Sequence, residues 1–346
     1  MGQGRIRQGT DHGHRNESAC FYRIATGDVV INKIWARHGA VAVVPPLDGF
    51  YGSTEFPCFR VNTSSMSGRW LHWLTRWRPF WDSCAQQSRG TSGKSRIRPE
   101  NFLKIEIPLP PTNDQERIAS NLDAIATRLE ECGGLQTAIQ EEQQQLLLSR
   151  AAEIAINAPR EPMDQVAPLV RRAVEIKPGA SYAELGIRSF GKGTFHKPAL
   201  TAEEVGSKRL FRIQPGDLLF SNVFSWEGAI AVAQPEDKAR FGTHRFITCV
   251  PDPAKATAEF LCHWFLTDEG MTYIRAASPG AAGRNRTLGI KKLMAIPVPL
   301  PPLAKQQEFS ALRRQILAAR ALHKDLPAEL DALQAALLDQ AFRGEM

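Results

Sequence analysis

The side chains best suited to chemistry in this chain are cations set beside glycines. Lys94-Ser-Arg96-Ile-Arg98 follows Gly90 and Gly93, and Arg284-Asn-Arg286 follows Gly280 and Gly283. Glycine lets a backbone approach a phosphate closely, and the arginine fork can grip a phosphate or pair with a guanine edge. Asn222 and Trp226, just past a strand-like segment, suit an exposed reading loop, and Lys192 sits in a third glycine-rich stretch from Gly186 to Gly193. Arg69, Arg76 and Arg78 interleave with Trp70, Trp73, Trp77 and Trp81. Such interleaving can stack on bases, but an inward-packed helix accounts better for these tryptophans.

No catalytic constellation accompanies these groups. The sequence has no G-x-x-x-x-G-K-[ST] phosphate loop, no H-E-x-x-H and no G-x-S-x-G nucleophile elbow. Neither an Asp-Pro-Pro-Tyr tetrapeptide nor a nuclease-type acidic cluster is present. The six cysteines lie far apart, without the C-x₂-C pairs of a zinc site, and read as reduced thiols. His12 and His14 have no further ligands nearby and read as part of a solvated terminus. Catalytic and metal-binding residues are therefore expected to be absent.

The charge is unevenly spread. Residues 1–110 carry 15 basic and 8 acidic groups, residues 111–158 carry 3 and 8, residues 159–300 carry 19 and 14, and residues 301–346 carry 6 of each. The excess positive charge lies wholly in two of the four segments, as expected if those two face a polyanion. With 346 residues the chain exceeds one ordinary core of about 100–150 residues. No apolar run approaches the roughly 18 residues of a membrane span, and the polar N-terminus has neither a secretory core nor a myristoylation signal. A cytoplasmic location is expected.

What positions the cations is a repeat. Ile107-Pro-Leu-Pro-Pro111 returns as Val298-Pro-Leu-Pro-Pro302, each followed four residues later by a glutamine, Gln115 and Gln306. Gly27-Asp-Val-Val-Ile31 matches Gly216-Asp-Leu-Leu-Phe220, Gly39-Ala-Val-Ala-Val43 matches Gly228-Ala-Ile-Ala-Val232, and His72-Trp73 matches His263-Trp264. The stretch from Gly90 to Arg96 faces that from Gly280 to Arg286, and the offset drifts only from 189 to 191. Each copy reads as a module of short strands followed by a long helix. Asp28 and Asp217 sit where turns feed strands and read as turn residues rather than acids or bases.

The double prolines enforce extended chain, after which Thr112 or Asn113 can cap a helix. Ile118, Leu122, Ile125 and Leu129 form an apolar stripe that Gly133-Gly134 interrupts and Leu135, Ile139, Leu146 and Ala151 resume. The second copy shows Phe309, Leu312, Ile316 and Leu317, a break at Asp325-Leu-Pro327, then Leu330, Leu333, Leu337 and Phe342. Long helices at 112–157 and 302–343, packed lengthwise against each other, are expected. The organisation is then a first module at 1–111, a helix at 112–158, a second module at 159–301 and a helix at 302–346.

The run Ile107-Pro-Leu-Pro-Pro-Thr-Asn-Asp-Gln-Glu-Arg-Ile118 with Leu122-Asp123, its second copy from Val298 to Gln307, and Gly216-Asp-Leu-Leu-Phe-Ser-Asn222 with Trp226 resemble specificity (S) subunits of type I restriction–modification enzymes. The resemblance runs from about residue 20 onward. It implies an α+β fold with two β-rich target recognition domains, each followed by a helix, the two helices packed as an antiparallel coiled coil. Each domain would read half of a split, asymmetric sequence in double-stranded DNA, through Lys94, Arg96 and Arg98 in one and Lys192, Asn222, Trp226, Arg284 and Arg286 in the other.

The helices would dock methyltransferase (M) subunits, with Gln115, Ile118, Leu122, Gln306 and Phe309 as contact residues, and a restriction (R) subunit would join. The chain itself would hold no cofactor; S-adenosylmethionine, ATP and magnesium would belong to those partners. The alternatives are a non-catalytic recognition part of another DNA-modification system, or a helical scaffold with basic end domains. One departure stands out. The second module takes 57 residues from Pro159 to Gly216, whereas Gly27 is reached after 26, so about thirty residues are expected to be missing from the start of the first module.

Overall fold

The computed structural model describes residues 7–8, 21–46, 49–90, 95–280 and 286–346. His12, His14, Cys20, Lys94 and Arg284 lie outside them. The chain forms two compact units, residues 1–136 with 324–346 and residues 137–323.

In the second unit the strand Leu218–Ser221 lies between Ile230–Val232 and Phe246–Cys249, antiparallel to both. Side chains alternate across a strand, so Leu218 and Phe220 point one way and Leu219 the other. All three are fully buried, because both faces of this sheet are covered. On one side pack the helices Ala258–Leu266, through Phe260, Leu261, Trp264 and Phe265, and Asp268–Ala277, through Met271 and Ile274. On the other lies a second sheet in the order Thr194–Thr201, Ser181–Ile187, Phe241–Thr243, Leu210–Arg212, joined to the first through Leu185, Ile213, Leu219 and Ala233.

The first unit repeats the inner half of that plan. Val29–Ile31 lies between Val41–Val43 and Cys58–Arg60, and the helices Gly68–Leu74 and Arg78–Gln86 cover one face through Trp70, Trp73, Leu74 and Phe80. Trp70 and Trp73 are buried, as an inward-packed helix requires. Of the outer sheet the described residues hold only Phe21–Arg23 and Tyr51–Ser53, paired in the register of Leu210–Arg212 with Phe241–Thr243. Among the described residues nothing corresponds to the hairpin Ser181–Ile187/Thr194–Thr201. Accordingly Ala42 is exposed where its counterpart Ala231 is 2% exposed.

The position of the shortage differs from the expectation. Gln8 pairs with Phe59 as Leu169 bridges Cys249, which makes Gln8 the equivalent of Leu169. From Gln8 to Phe21 is 13 residues and from Leu169 to Leu210 is 41. The missing stretch is therefore internal to the module and removes the outer hairpin. In the second unit the tip of that hairpin, Gly191, abuts Leu266, which also packs on Gly228. Their counterparts in the first unit, Thr75 and Gly39, instead line a cavity of about 550 Å³.

The first long helix runs unbroken from Thr112 to Ala155, through Gly133 and Gly134. Each glycine costs about 1 kcal/mol against alanine, too little to stop a helix of this length among strong helix formers. It begins at Thr112, with the amides of Asp114 and Gln115 bonded to the Pro111 carbonyl, so neither Thr112 nor Asn113 caps it from outside. The second helix does break where expected, into Leu303–Leu322 and Leu326–Arg343.

In the first unit Ile118 and Leu122 share a core with Leu338, Ala341 and Phe342. In the second, Leu147, Ala151 and Ala155 share one with Phe309 and Ile316, and Arg320 donates to the side chain of Gln143 at 2.8 Å and the carbonyl of Gln140 at 2.7 Å. The first helix reaches Arg150 where the other has run back to Glu308, whose charge acts on Arg150, so the two segments of this unit run in opposite directions. Leu135, Ile139 and Leu146 are exposed rather than part of the seam.

Gln115 and Gln306 make the same three bonds in their respective units. The Gln115 amide oxygen accepts from the Ser67 amide at 2.8 Å, and its nitrogen donates to the carbonyls of Ser65 at 3.0 Å and Pro110 at 2.7 Å. Gln306 accepts from Thr257 at 3.0 Å and donates to Lys255 at 3.0 Å and Pro301 at 2.9 Å. Ser67 and Thr257 cap the helices Gly68–Leu74 and Ala258–Leu266. One buried amide thus ties the start of each long helix to the start of a module helix.

Truncating Gln306 would orphan one buried amide and deprive two carbonyls of a partner, at a cost of about 1–3 kcal/mol or more. We expect Gln306→Ala to lower the unfolding free energy by at least that lower figure in a urea titration; a loss under about 0.5 kcal/mol would contradict the role given to this amide.

Candidate nucleic-acid interface

Both inner sheets deliver the chain into the same turn. In the second unit Leu218–Ser221 leads through Asn222 into a 3-10 turn, Ser225–Glu227, closed by Gly228 at φ +78°. In the first, Val29–Ile31 leads through Asn32 and Lys33 into Ala36–His38, closed by Gly39 at φ +87°. A left-handed residue is needed to reverse the chain there, which accounts for glycine at both sites.

The backbone of this turn holds the basic segment. The Asn222 carbonyl accepts from the Leu288 amide at 2.8 Å, and the Lys33 carbonyl accepts from the Ile97 amide at 2.9 Å. These bonds make Ile97 the equivalent of Leu288, and hence place Ser95 opposite Arg286 and Arg96 opposite Thr287. The residue types alone align Arg96 with Arg286, one position off, because glycine-rich segments carry no packing signal to fix register.

In the second unit the turn gathers three of the expected residues. The Arg286 guanidinium lies 5.1 Å from the centre of the Trp226 ring, a cation–π arrangement, while the Trp226 ring nitrogen donates to the Val223 carbonyl at 3.0 Å. Among the described residues, the buried Arg286 Nε and Asn222 Oδ1 have no hydrogen-bond partner. Lys192 is exposed on the hairpin loop, whose Phe190 and Gly191 amides donate to the carbonyls of Glu227 and Gly228, both at 2.9 Å. The side chain of Ser189 also donates to Glu227, at 3.1 Å. One end of this sheet therefore carries Asn222, Trp226, Arg286 and the loop bearing Lys192.

In the first unit Arg96 and Arg98 are both exposed. Arg96 forms an ion pair with Glu55 at 3.2 Å, and Arg98 precedes the short helix Pro99–Phe102. Lys33 and Arg37, the counterparts of Asn222 and Trp226, escaped residue-level reading. Aligning the two turns would have found them.

The residues expected to contact a partner behave differently. Gln115 and Gln306 are fully buried, and Ile118, Leu122 and Phe309 nearly so. Their bonding and apolar surface are used inside their own units, so in this structure they fasten helix to module and present nothing to another protein.

The aspartates are turn residues. Asp28 Oδ2 accepts from the Ala25 amide at 3.0 Å, and Asp217 Oδ2 from the Gln214 amide at 2.8 Å. Arg172 grips Asp217 with both guanidinium nitrogens, at 2.7 and 3.0 Å. Burial pushes the thiols of Cys58, Cys84, Cys249 and Cys262 up to about 12, so at neutral pH they stay protonated and unreactive. Burial lowers His263 to about 4, leaving a neutral ring packed on Phe309. Among the described residues no group of three His, Cys, Asp or Glu side chains is placed to hold a metal ion. None of their helices is long and apolar enough to cross a membrane.

Residues 13–141 match the family described as the type I restriction modification DNA specificity domain. The fold as a whole is similar to two solved structures. One is the HsdS subunit from Thermoanaerobacter tengcongensis, at 23% identity and a TM-score of 0.51, over 96% of this chain and 84% of that one. The other comes from a study of complex assembly and conformational transition in the type I R-M system, at 22% identity and a TM-score of 0.66, over 96% and 85%. No curated protein matches the chain. The family match is confined to residues 13–141, and the mixed helix-and-sheet fold of the chain is similar to that of these two structures.

Proposed function

We propose that this chain is the sequence-reading subunit of a type I restriction–modification complex and is not itself a catalyst. The observation that carries the reading is the turn built twice, each time holding a glycine-flanked basic segment by one backbone bond. Each unit presents one such turn to double-stranded DNA and reads one half of a bipartite target. Lys94, Arg96 and Arg98 serve one half; Lys192, Asn222, Trp226, Arg284 and Arg286 serve the other. The helices, as an antiparallel coiled coil, set the gap between the half-sites.

Methyltransferase subunits dock on the helices, and a restriction subunit joins that assembly. The exposed Ile139 and Leu146, one heptad apart on the first helix, suit such docking better than the buried residues named from sequence. S-adenosylmethionine, ATP and magnesium act on those partners. The organisation remains that of modules at 1–111 and 159–301 with helices at 112–158 and 302–346. A cytoplasmic site of action fits a DNA-modifying complex.

Two outcomes test this reading. The purified chain should neither methylate nor cut DNA, and adenine methylation should appear when its methyltransferase subunit is added; methyl transfer from S-adenosylmethionine by the chain alone would refute it. Separately, a planar guanidinium fixed on an indole is preorganised to pair with one guanine. Arg286→Ala should therefore cost about 1–3 kcal/mol on a duplex selected for binding and far less on a random one. Equal loss on both, with the salt dependence flattened by about one unit of slope, would instead make Arg286 a phosphate contact.

A further inference from the structure

The residue immediately before each 3-10 turn is aromatic and exposed to solvent. Trp35 and Phe224 occupy equivalent places, and they are 55% and 40% exposed. Their backbones are pinned. The Trp35 carbonyl accepts from the amides of His38 at 2.8 Å and Ala40 at 3.1 Å, and the Phe224 carbonyl from those of Glu227 at 3.0 Å and Ala229 at 3.1 Å. The rings are thus exposed on a fixed backbone frame.

Cations lie in the same turns: Lys33 and Arg37 stand two residues either side of Trp35, and the segment of Arg96 is bonded to the Lys33 carbonyl. Arg286 stacks on Trp226 two residues beyond Phe224, while Glu55, paired with Arg96, and Glu227 are the nearby acids. In the second unit the hairpin loop adds Phe190, 71% exposed at φ +61°, clamped to the same turn by its amide. A bulky residue at positive φ is a strained conformation that the loop's bonds must hold. Exposed apolar rings lose free energy to water unless a ligand covers them. A ligand with flat apolar surfaces and dense negative charge suits rings set among cations, and nucleic-acid bases have both properties.

We propose that Trp35 in one unit, and Phe224 with Phe190 in the other, make apolar contact with bases of the bound DNA. The contact is either with a thymine methyl in the groove or with a base face at an opened step. This rests on the reading that the units bind DNA, and it adds that affinity in each half depends on an aromatic side chain as well as on charge.

The test uses the full-length chain and a duplex enriched from a random pool by the wild-type protein. Trp35→Ala and Phe224→Ala should each weaken binding by about 5- to 100-fold, with the salt slope unchanged because no phosphate contact is lost. Trp35→Phe should retain most of the affinity. Phe190→Gly, which removes the ring and relieves its backbone, should also weaken binding while unfolding at no lower temperature.

Replacing thymines by deoxyuridine should weaken the wild type more than the variants if the rings touch methyl groups. Brightening of a 2-aminopurine probe by the wild type alone would identify an opened step. If the wild type binds no duplex, the DNA reading fails and this inference with it. If it binds and the alanine variants bind equally, the inference alone fails. Loss of affinity with neither the deoxyuridine nor the 2-aminopurine signal, or loss confined to a methyltransferase subunit, would also overturn it.

Discussion

A single buried amide, used once in each unit, sets the geometry of the rest. The extended proline segment and the loop before each module helix leave backbone carbonyls and one amide that no regular element pairs. Gln115 and Gln306 reach back to the second-last extended carbonyl and sideways to the capped start of a module helix. The amide has one acceptor oxygen and two donor hydrogens, and every one is used. Glutamate would have no hydrogens to give the two carbonyls. The long helix is therefore anchored at a fixed place against its module, and whatever the module holds is fixed with it.

On that frame the two units have diverged by a layer. In the second, a hairpin covers the outer face of the inner sheet and carries Lys192 and Phe190 to the turn. In the first, the chain between Gln8 and Phe21 is too short for it, the outer face is partly bare, and a cavity opens beside Gly39. Main-chain bonds hold the turn and its basic segment in both, so the inner frame survives the loss.

Much of this was legible in the sequence, for a physical reason. The repeat, the double prolines and the Gly-Asp turns depend on local backbone chemistry, and local chemistry leaves its mark at fixed spacing. The break before Pro327 and the turn role of Asp28 and Asp217 could be read for the same reason. The continuity through Gly133-Gly134 could not, since it depends on the whole helix outweighing two weak positions. Nor could the burial of Gln115 and Gln306, polar residues on a helix that alone would face water, because their partners lie some fifty residues away. The placement of the missing stretch needed strand pairing, and the pairing of Arg286 with Trp226 needed both loops in space.

The claim at the centre is that one chain reads DNA twice, with unequal halves. Selection of bound duplexes from a random pool by the complex of this chain with its methyltransferase subunit tests it directly. We expect two short sequence elements separated by a gap of fixed length and no preferred sequence, one of them specified at fewer positions, as suits the unit without the hairpin. A single uninterrupted motif, or two elements specified to the same depth, would contradict it.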